Sequence, residues 1–378
     1  MPNAKNFIES IIDKDIADGF SKRDLRFRFP PEPNGYLHIG HAKAIAINFG
    51  LGENYNSPVN LRFDDTNPLA EEKEYVDAII KDIKWLGYNW NKITYSSDHF
   101  GVLFEWALML IKENKAYIDS QESAEIATQK GTTTKPGINS PFRDRPVEES
   151  LKIFNEMKQG MHPEGKHVLR AKISMSDPNM LLRDPVLYRV IHKEHHRTKD
   201  AWCIYPTYDW AHGESDSIEG ITHSICTLEF ENHRPLYDWY LDNLEAHHPQ
   251  QIEFAKLVLS YTVTSKRKLL ELVQGDYVDG WDDPRMSTIS GMRRRGYPPE
   301  ALRSFCKTVG VTKFSGITDI ALLDHAIREQ LNREALRKMV VLDPIKVSIT
   351  NWPGEDHSEQ MNAINNPALP VISVGTNK

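Results

Sequence analysis

The chain has 378 residues, 40% hydrophobic and 26% charged, with a formal net charge of −7. Domains run to about 100 to 200 residues, so two to four are expected, with the composition of an ordinary globular protein. The negative balance excludes a protein that coats nucleic acid through bulk positive charge, so any RNA contact has to be local, with Arg293–Arg295 and Lys266–Lys268 as the basic clusters.

No run of about 18 apolar residues and no basic-then-apolar start is present, so neither a membrane span nor a secretory leader is expected, and the cytosol is the expected compartment. Cys203, Cys226 and Cys306 lie far apart and form no C-x-x-C pair, which argues against a zinc ribbon or a disulfide framework. His192, His195 and His196 have no carboxylate following at ligand spacing, so they read as solvated or loop histidines, and no zinc is expected.

In chain order, Leu25, Phe27 and Phe29 alternate with Arg26 and Arg28, which predicts a strand with one apolar face ending at Pro30. After the turn Glu32-Pro33-Asn34-Gly35, the spacing of Ala42, Ile45, Ala46 and Phe49 predicts a helix over 41–49, stopped by Gly50 and Gly52. Asn60–Phe63 reads as a second buried strand that delivers Asp64 and Asp65 at its carboxyl end, Asp65 chiefly as a cap for the next helix. That helix carries Val76, Ile79, Ile80, Ile83 and Leu86 on one stripe. Strand, helix, strand, helix at short intervals predicts an α/β fold with a doubly wound parallel sheet, whose ligands bind beyond the carboxyl ends of the strands.

From about Phe100 to Pro206 a helix with Leu103, Trp106 and Leu110 precedes a polar, Gly- and Pro-bearing passage over 130–145, the composition of an insertion with its own small core. Strand-like text returns from Tyr208, and short helices follow Asp282 through Met339. The text V-V-L-D-P-I-K-V-S-I-T-N-W over 340–352 alternates like the start of a β domain. Trp281, Asp282 and Pro284 read as shaping a turn.

Two segments carry chemistry. Pro33-Asn34-Gly35-Tyr36-Leu37-His38-Ile39-Gly40-His41 places two histidines three apart at a helix start, where backbone N–H groups and the dipole favour a phosphate. The imidazoles can stabilise charge as it develops, and Gly40 would let a flat base approach the backbone. Taken alone, the stretch is equally a tight turn with a histidine pair. Downstream, Val263-Thr264-Ser265-Lys266-Arg267-Lys268-Leu269 offers a loop lysine able to neutralise a departing pyrophosphate, though alone it is a charged loop.

Together these segments resemble the H-I-G-H and K-M-S-K-S motifs of class I aminoacyl-tRNA synthetases, with Thr264 where the second motif usually has methionine. The runs R-F-P-P-E-P-N-G-Y-L-H-I-G-H-A-K, N-L-R-F-D-D-T-N-P, I-T-H-S-I-C-T-L-E-F, R-P-L-Y-D-W and G-W-D-D-P-R-M-S-T-I-S-G-M-R-R-R-G-Y resemble the glutaminyl-tRNA synthetase family from about Asn6 to Gly354. Eukaryotic-type glutamyl-tRNA synthetases share the first two runs, whereas the T-L-E-F and L-Y-D-W text is similar to the glutamine enzymes.

The resemblance implies a Rossmann-like catalytic domain over 1–99 and 207–259, an inserted acceptor-end-binding domain over 100–206, a helical subdomain over 260–338, and the start of a β-barrel over 339–378. It implies ATP-dependent joining of L-glutamine to tRNA(Gln) by a cytosolic monomer, with Mg2+ accompanying the triphosphate and no part for DNA or membrane. His38, His41 and Lys266 fall to catalysis. ATP falls to Glu32, Pro33, Asn34, His38, Ile39, Gly40, His41, Ala42, Lys43, Ala44, Thr227, Lys256, Leu257, Thr264, Ser265 and Lys266. Glutamine falls to Asp64 and Tyr208, with Arg28, Cys226 and Gln251 nearby, Arg28 being expected to act through a network that orients Tyr208. The family continues into two barrels that read the anticodon, and the text from Asn366 to Lys378 does not match it, so weak anticodon discrimination is expected. The alternatives are a glutamate-charging enzyme of the same class and a non-catalytic tRNA-binding fragment.

Overall fold

The computed structural model describes residues 5–338, 340, 342–348, 350–351, 361–363 and 372–374. Helix α1 (Phe7–Ala17) is started by Asn6, whose side chain accepts from Ile8 and Glu9 N–H groups. It is followed by β1 (Phe27–Phe29), α2 (Ile39–Tyr55), β2 (Val59–Phe63), α3 (Lys73–Trp85) and β3 (Ile93–Tyr95). β1 and β3 flank β2 in a parallel sheet, Phe27 opposite Val59 and Leu61 opposite Ile93.

The next stretch holds α4 (Phe100–Lys112), β4 (Ala116–Asp119), α5 (Ser123–Gln129), α6 (Val147–Lys158), β5 (Val168–Ala171), β6 (Val186–Val190) and β7 (Ile204–Pro206). Its four strands form an antiparallel sheet in the order β4-β5-β6-β7. The chain then gives α7 (Tyr208–Ile218), β8 (His223–Thr227), α8 (Arg234–Leu244), β9 (Gln250–Phe254) and β10 (Val258–Leu259).

β8 and β9 pair in parallel, and β8 lies beside β1: Thr222 N–H donates to Arg26 O at 3.0 Å, and Arg28 Nη1 to Ile225 O at 2.7 Å. Residue numbers rise together across that seam, so β1 and β8 point the same way and their carboxyl ends open on one edge, where the direction of winding reverses. After it come α9 (Lys266–Gln274), α10 (Ile289–Arg295), α11 (Pro299–Val309), β11 (Ile317–Thr318) and α12 (Ile320–Glu334). A short antiparallel pair, β12 (Met361–Ala363) and β13 (Ile372–Val374), closes the described part.

Two large apolar clusters hold these elements. One joins α1, α2 and α3 to the parallel strands and to α10–α12. The other joins α4, α6 and β4–β7, and extends beyond Pro206 to Trp210 of α7 and Tyr240 of α8.

The structure departs from the expected elements at several points. β1 is buried on both faces, because Arg28 finds internal partners and is 0% exposed. Helix α2 starts two residues early and passes through Gly50 and Gly52 to Tyr55, capped by Asn56, which takes a left-handed φ of 53°. Gly52 serves close packing: a Cβ there would stand 2.3 Å from Val59 Cγ2. The text after Tyr208 is helical before it is a strand. Over 340–352 the described residues form no strand, and 341, 349 and 352 lie outside them; most of the expected barrel start does too.

Candidate active site

Beyond the carboxyl ends of β1 and β8 lies a cavity of about 600 Å³. Its lining brings together the turn from Glu32 to His41, the ends of β8 and β9, and the loop Thr264-Ser265-Lys266. The turn and the loop meet physically, since a Cβ at Gly35 would stand 2.9 Å from Lys266 Cε; glycine lets the lysine lie across the turn. The segment Ser287-Thr288 stitches them: Ile39 N–H donates to Ser287 O at 3.1 Å, Ile289 N–H to Leu37 O at 2.8 Å, and Ser287 Oγ to Val263 O.

At the start of α2, Gly40 N–H donates to His38 Nδ1 and His38 N–H to His41 Nδ1, both at 3.1 Å. Backbone N–H groups can only donate, so both Nδ1 atoms are unprotonated and each ring carries its proton on Nε2. Burial pushes His38 down to about 4 and His41 well below the usual imidazole value, so two neutral rings offer Nε2–H donors beside a helix N-terminus. Gly40 has a local reason to be glycine as well, because a Cβ would stand 2.8 Å from His38 Cε1.

The other end of the cavity rests on buried charge. Arg28 donates to Asp216 Oδ1 at 2.9 Å and Oδ2 at 3.0 Å, and Arg62 to Asp216 Oδ1 at 2.6 Å and Asp64 Oδ1 at 2.7 Å. Burial would raise both carboxyls, but the guanidiniums hold Asp64 and Asp216 below the ordinary range. Arg28 Nη2 stands 3.1 Å from His212 Nε2, and His212 Nδ1 stands 3.2 Å from the Tyr208 hydroxyl and 3.4 Å from Asp64 Oδ2. Arg62 Nη2 also approaches Nδ1, at 3.3 Å. The shorter Arg28 contact and the carboxylate beside Nδ1 place the ring proton on Nδ1, which makes Tyr208 its acceptor and leaves the phenol proton free for a ligand.

Of the residues anticipated for ATP, Glu32, Asn34, His38, Gly40, His41, Ala44, Thr227, Lys256, Leu257, Thr264, Ser265 and Lys266 line the cavity. Pro33, Ile39, Ala42 and Lys43 do not: Ile39 and Ala42 are core residues, Lys43 Nζ is tied to Ala255 O at 2.8 Å, and Pro33 O accepts from Glu72 N–H. Tyr208 and Cys226 line it too, whereas Arg28 reaches it through His212, and Asp64 stands behind the same ring. Gln251 lies in a small adjoining pocket with Tyr208, His212 and Phe230. Burial pushes the Cys226 thiol up to about 12, so it packs as a neutral group. The sequence reading missed His212, Phe230 and the cavity-facing Trp281, which stacks on Tyr36 at 5.6 Å. The spacing of Tyr208, His212 and Asp216, four apart, was the available signal for the first.

Asp65 does not cap α3. Its carboxylate accepts from Ser97 N–H at 2.8 Å and Ser97 Oγ at 2.7 Å, and His195 and His196 close over it. His195 is therefore buried rather than solvated, while His192 stays exposed. Asp65, His195 and His196 are, among the described residues, the grouping close enough to hold a metal. The donor set does not suit one: His195 Nδ1 accepts from Arg197 and Thr198 N–H, so its Nε2 carries a proton and donates to Asp65 O at 2.9 Å. The trio is a hydrogen-bonded clamp.

Residues 24–333 match the family model described as tRNA synthetases class I (E and Q), catalytic domain. The chain is 57% identical over 364 residues to a glutamine–tRNA ligase of Rhodopirellula baltica, covering 96% of this chain and 60% of that protein. It is 56% identical over 376 residues to one of Bradyrhizobium diazoefficiens, covering 99% and 67%. The chain thus spans about 60 to 67% of the length of these curated relatives. A solved glutamate–tRNA ligase of Elizabethkingia meningosepticum, in complex with its amino acid, superposes with a TM-score of 0.61 over 82% of this chain and 70% of that one; at 18% identity this likeness speaks for the fold. With the family model matching residues 24–333 and the paired motifs lining one cavity, the chain belongs to the class I tRNA synthetases of the E and Q family and carries their catalytic domain.

Proposed function

We propose that the cleft activates L-glutamine with ATP and passes it to the 3′ end of tRNA(Gln); the relatives that the chain resembles bear the name glutamine–tRNA ligase. The observation that carries this reading is that the histidine turn, the Lys266 loop and Tyr208 face one cavity. A glutamine carboxylate oxygen attacks the α-phosphorus of MgATP, the bond to the bridging β-phosphate oxygen breaks, and pyrophosphate leaves. A ribose hydroxyl of the terminal tRNA adenosine then attacks the carbonyl of the adenylate, and AMP departs. No protein nucleophile is required, so positioning and electrostatics supply the acceleration.

In this scheme the Nε2–H groups of His38 and His41 and the α2 N-terminus take up charge developing on the phosphates, and Lys266 neutralises pyrophosphate. Asp64, kept ionised by Arg62, supplies negative charge from behind His212 toward the substrate ammonium, and Tyr208 meets the side-chain amide. The charge arrangement favours the amide over the acid: Arg28 and Arg62 are already spent on Asp216 and Asp64, so a glutamate carboxylate would bring a buried charge without a free guanidinium. The segment 100–206 is read as the holder of the acceptor end, its arginines and lysines meeting phosphates.

Pyrophosphate exchange with glutamine and with glutamate, each with and without tRNA, tests the reading. Glutamine should support exchange at least about a hundredfold better than glutamate; equal support by glutamate overturns it. Tyr208→Phe should narrow that ratio, and an unchanged preference removes Tyr208 from specificity.

A further inference from the structure

Helix α7 presents Tyr208, His212 and Asp216 to the cleft network and sends its opposite side into the second core. There Glu214 is 0% exposed, and neither of its carboxylate oxygens has a hydrogen-bond partner among the described residues. The same is true of three buried groups around it: Tyr188 OH of β6, Trp210 Nε1 of α7 and Tyr240 OH of α8. The Trp210 and Tyr240 rings meet edge to face at 5.0 Å, and Trp210 Nε1–H faces the Tyr188 hydroxyl.

Five polar atoms gathered from three elements in an otherwise apolar core are too many to leave unsatisfied. Native interiors fill such knots with ordered water, which needs two to four polar partners. The groups acting on Glu214 are its own backbone N–H, Asp216 and Asp209 of its own helix, Tyr188 of β6 and Tyr240 of α8; neither carboxylate among them favours a second negative charge. Burial, then those carboxylates, push the Glu214 carboxyl well above its ordinary range against the pull of its own backbone N–H, which favours the protonated form, able to donate as well as accept.

We infer that Glu214 is a positioning residue: through internal water it ties α7 to Tyr188 of the inserted sheet and Tyr240 of α8, and so fixes Tyr208, His212 and Asp216 in register with the cleft. This rests on reading the cleft side of α7 as the amino-acid site. Glu214→Gln keeps the shape and the donor and should behave within about twofold of the unaltered protein. Glu214→Leu keeps bulk but no hydrogen bonds, and should raise the glutamine KM about fivefold in pyrophosphate exchange while leaving the ATP KM unchanged. In the infrared difference spectrum of the unaltered protein minus Glu214→Gln at pH 7.5, a protonated-carboxyl band should appear beyond the one that Glu71, pushed up to about 9 by burial, gives in both proteins.

A missing band, or a folded Glu214→Leu protein with an unchanged glutamine KM, overturns the inference. If Glu214→Leu does not fold, Tyr188→Phe takes its place: a glutamine KM raised about threefold supports the tie, and an unchanged one overturns it. Should the unaltered protein support no exchange at all, the proposed function fails. The infrared band and hydrogen exchange of α7 amides, faster in Glu214→Leu than in Glu214→Gln, then still decide whether Glu214 locks the helix.

Discussion

At the end of the cleft proposed to take the amino acid, Arg28, Arg62, Asp64 and Asp216 are all buried and bound to one another, with Ser224 and Tyr237 completing the shell around Asp216. At the loop end, Tyr261 is 98% exposed with a φ of 52°, Val263 is partly exposed, and Arg267 stands in solvent. The first arrangement is rigid before any ligand arrives, which suits telling an amide from an acid. The second has few internal bonds to lose, which suits a loop that tightens on a triphosphate and lets pyrophosphate go.

The largest expected effect comes from breaking the rigid end. Asp216→Asn leaves two buried guanidiniums short of an anion and should cost about 3–5 kcal/mol in urea unfolding; a loss under about 1 kcal/mol would show that this end is not held by its charges. The sign of the pH effect follows from carboxyls held low in the folded state. Their contribution is present above the unfolded value of about 3.9 and is lost as pH falls through the lower folded values, so the unaltered protein should lose more stability in acid than Asp216→Asn.

Next in size, His38→Ala or His41→Ala should lower the adenylation rate about a hundredfold or more, with a smaller effect on ATP binding. A change confined to the ATP KM refutes the role. Because His38 sits at about 4, it stays neutral from pH 6 to 8, and the rate should show no imidazolium titration near 6.5 from this pair. The stability tied to its neutral form is present above about 6.5 and lost as pH falls toward 4.

Two smaller changes probe the loop. Gly35→Ala forces Lys266 off the turn and should slow adenylation about tenfold without altering the melting temperature, since the clash is with a flexible side chain. An unchanged rate would show that the observed lysine position is not the working one. Thr264→Met should give better loop packing and a first step about two- to threefold faster; a slower or unaltered rate removes the packing argument.

Much of this was legible beforehand, for identifiable reasons. The alternation at Leu25–Phe29, the spacing of Ala42, Ile45 and Phe49, and the buried run before Asp64 each bury a patterned face, and pattern is what a sequence displays. Gly52 misled because a helix-stopping glycine and one that admits a neighbouring strand look alike until Val59 is in place. Helix α7 was missed because His212, Gly213, Glu214, Ser215 and Asp216 are buried by partners far away in the chain, not by apolar periodicity. The second buried face of β1 was missed for the same reason: the anion that pairs with Arg28 lies 188 residues on.

The second apolar cluster, which crosses from the inserted sheet into α7 and α8, bears on how this fold could be taken apart. A module that evolution or an engineer can lift out must carry its whole core with it. Here removal of 100–206 would strip cover from Trp210 and Tyr240, and the excised piece would bare Phe100 and Tyr188. The segment is therefore a poor cassette for grafting between synthetases. Exchanges that keep α7 and α8 with it, at the boundaries of the apolar cluster rather than of the sequence insertion, are the ones this architecture permits.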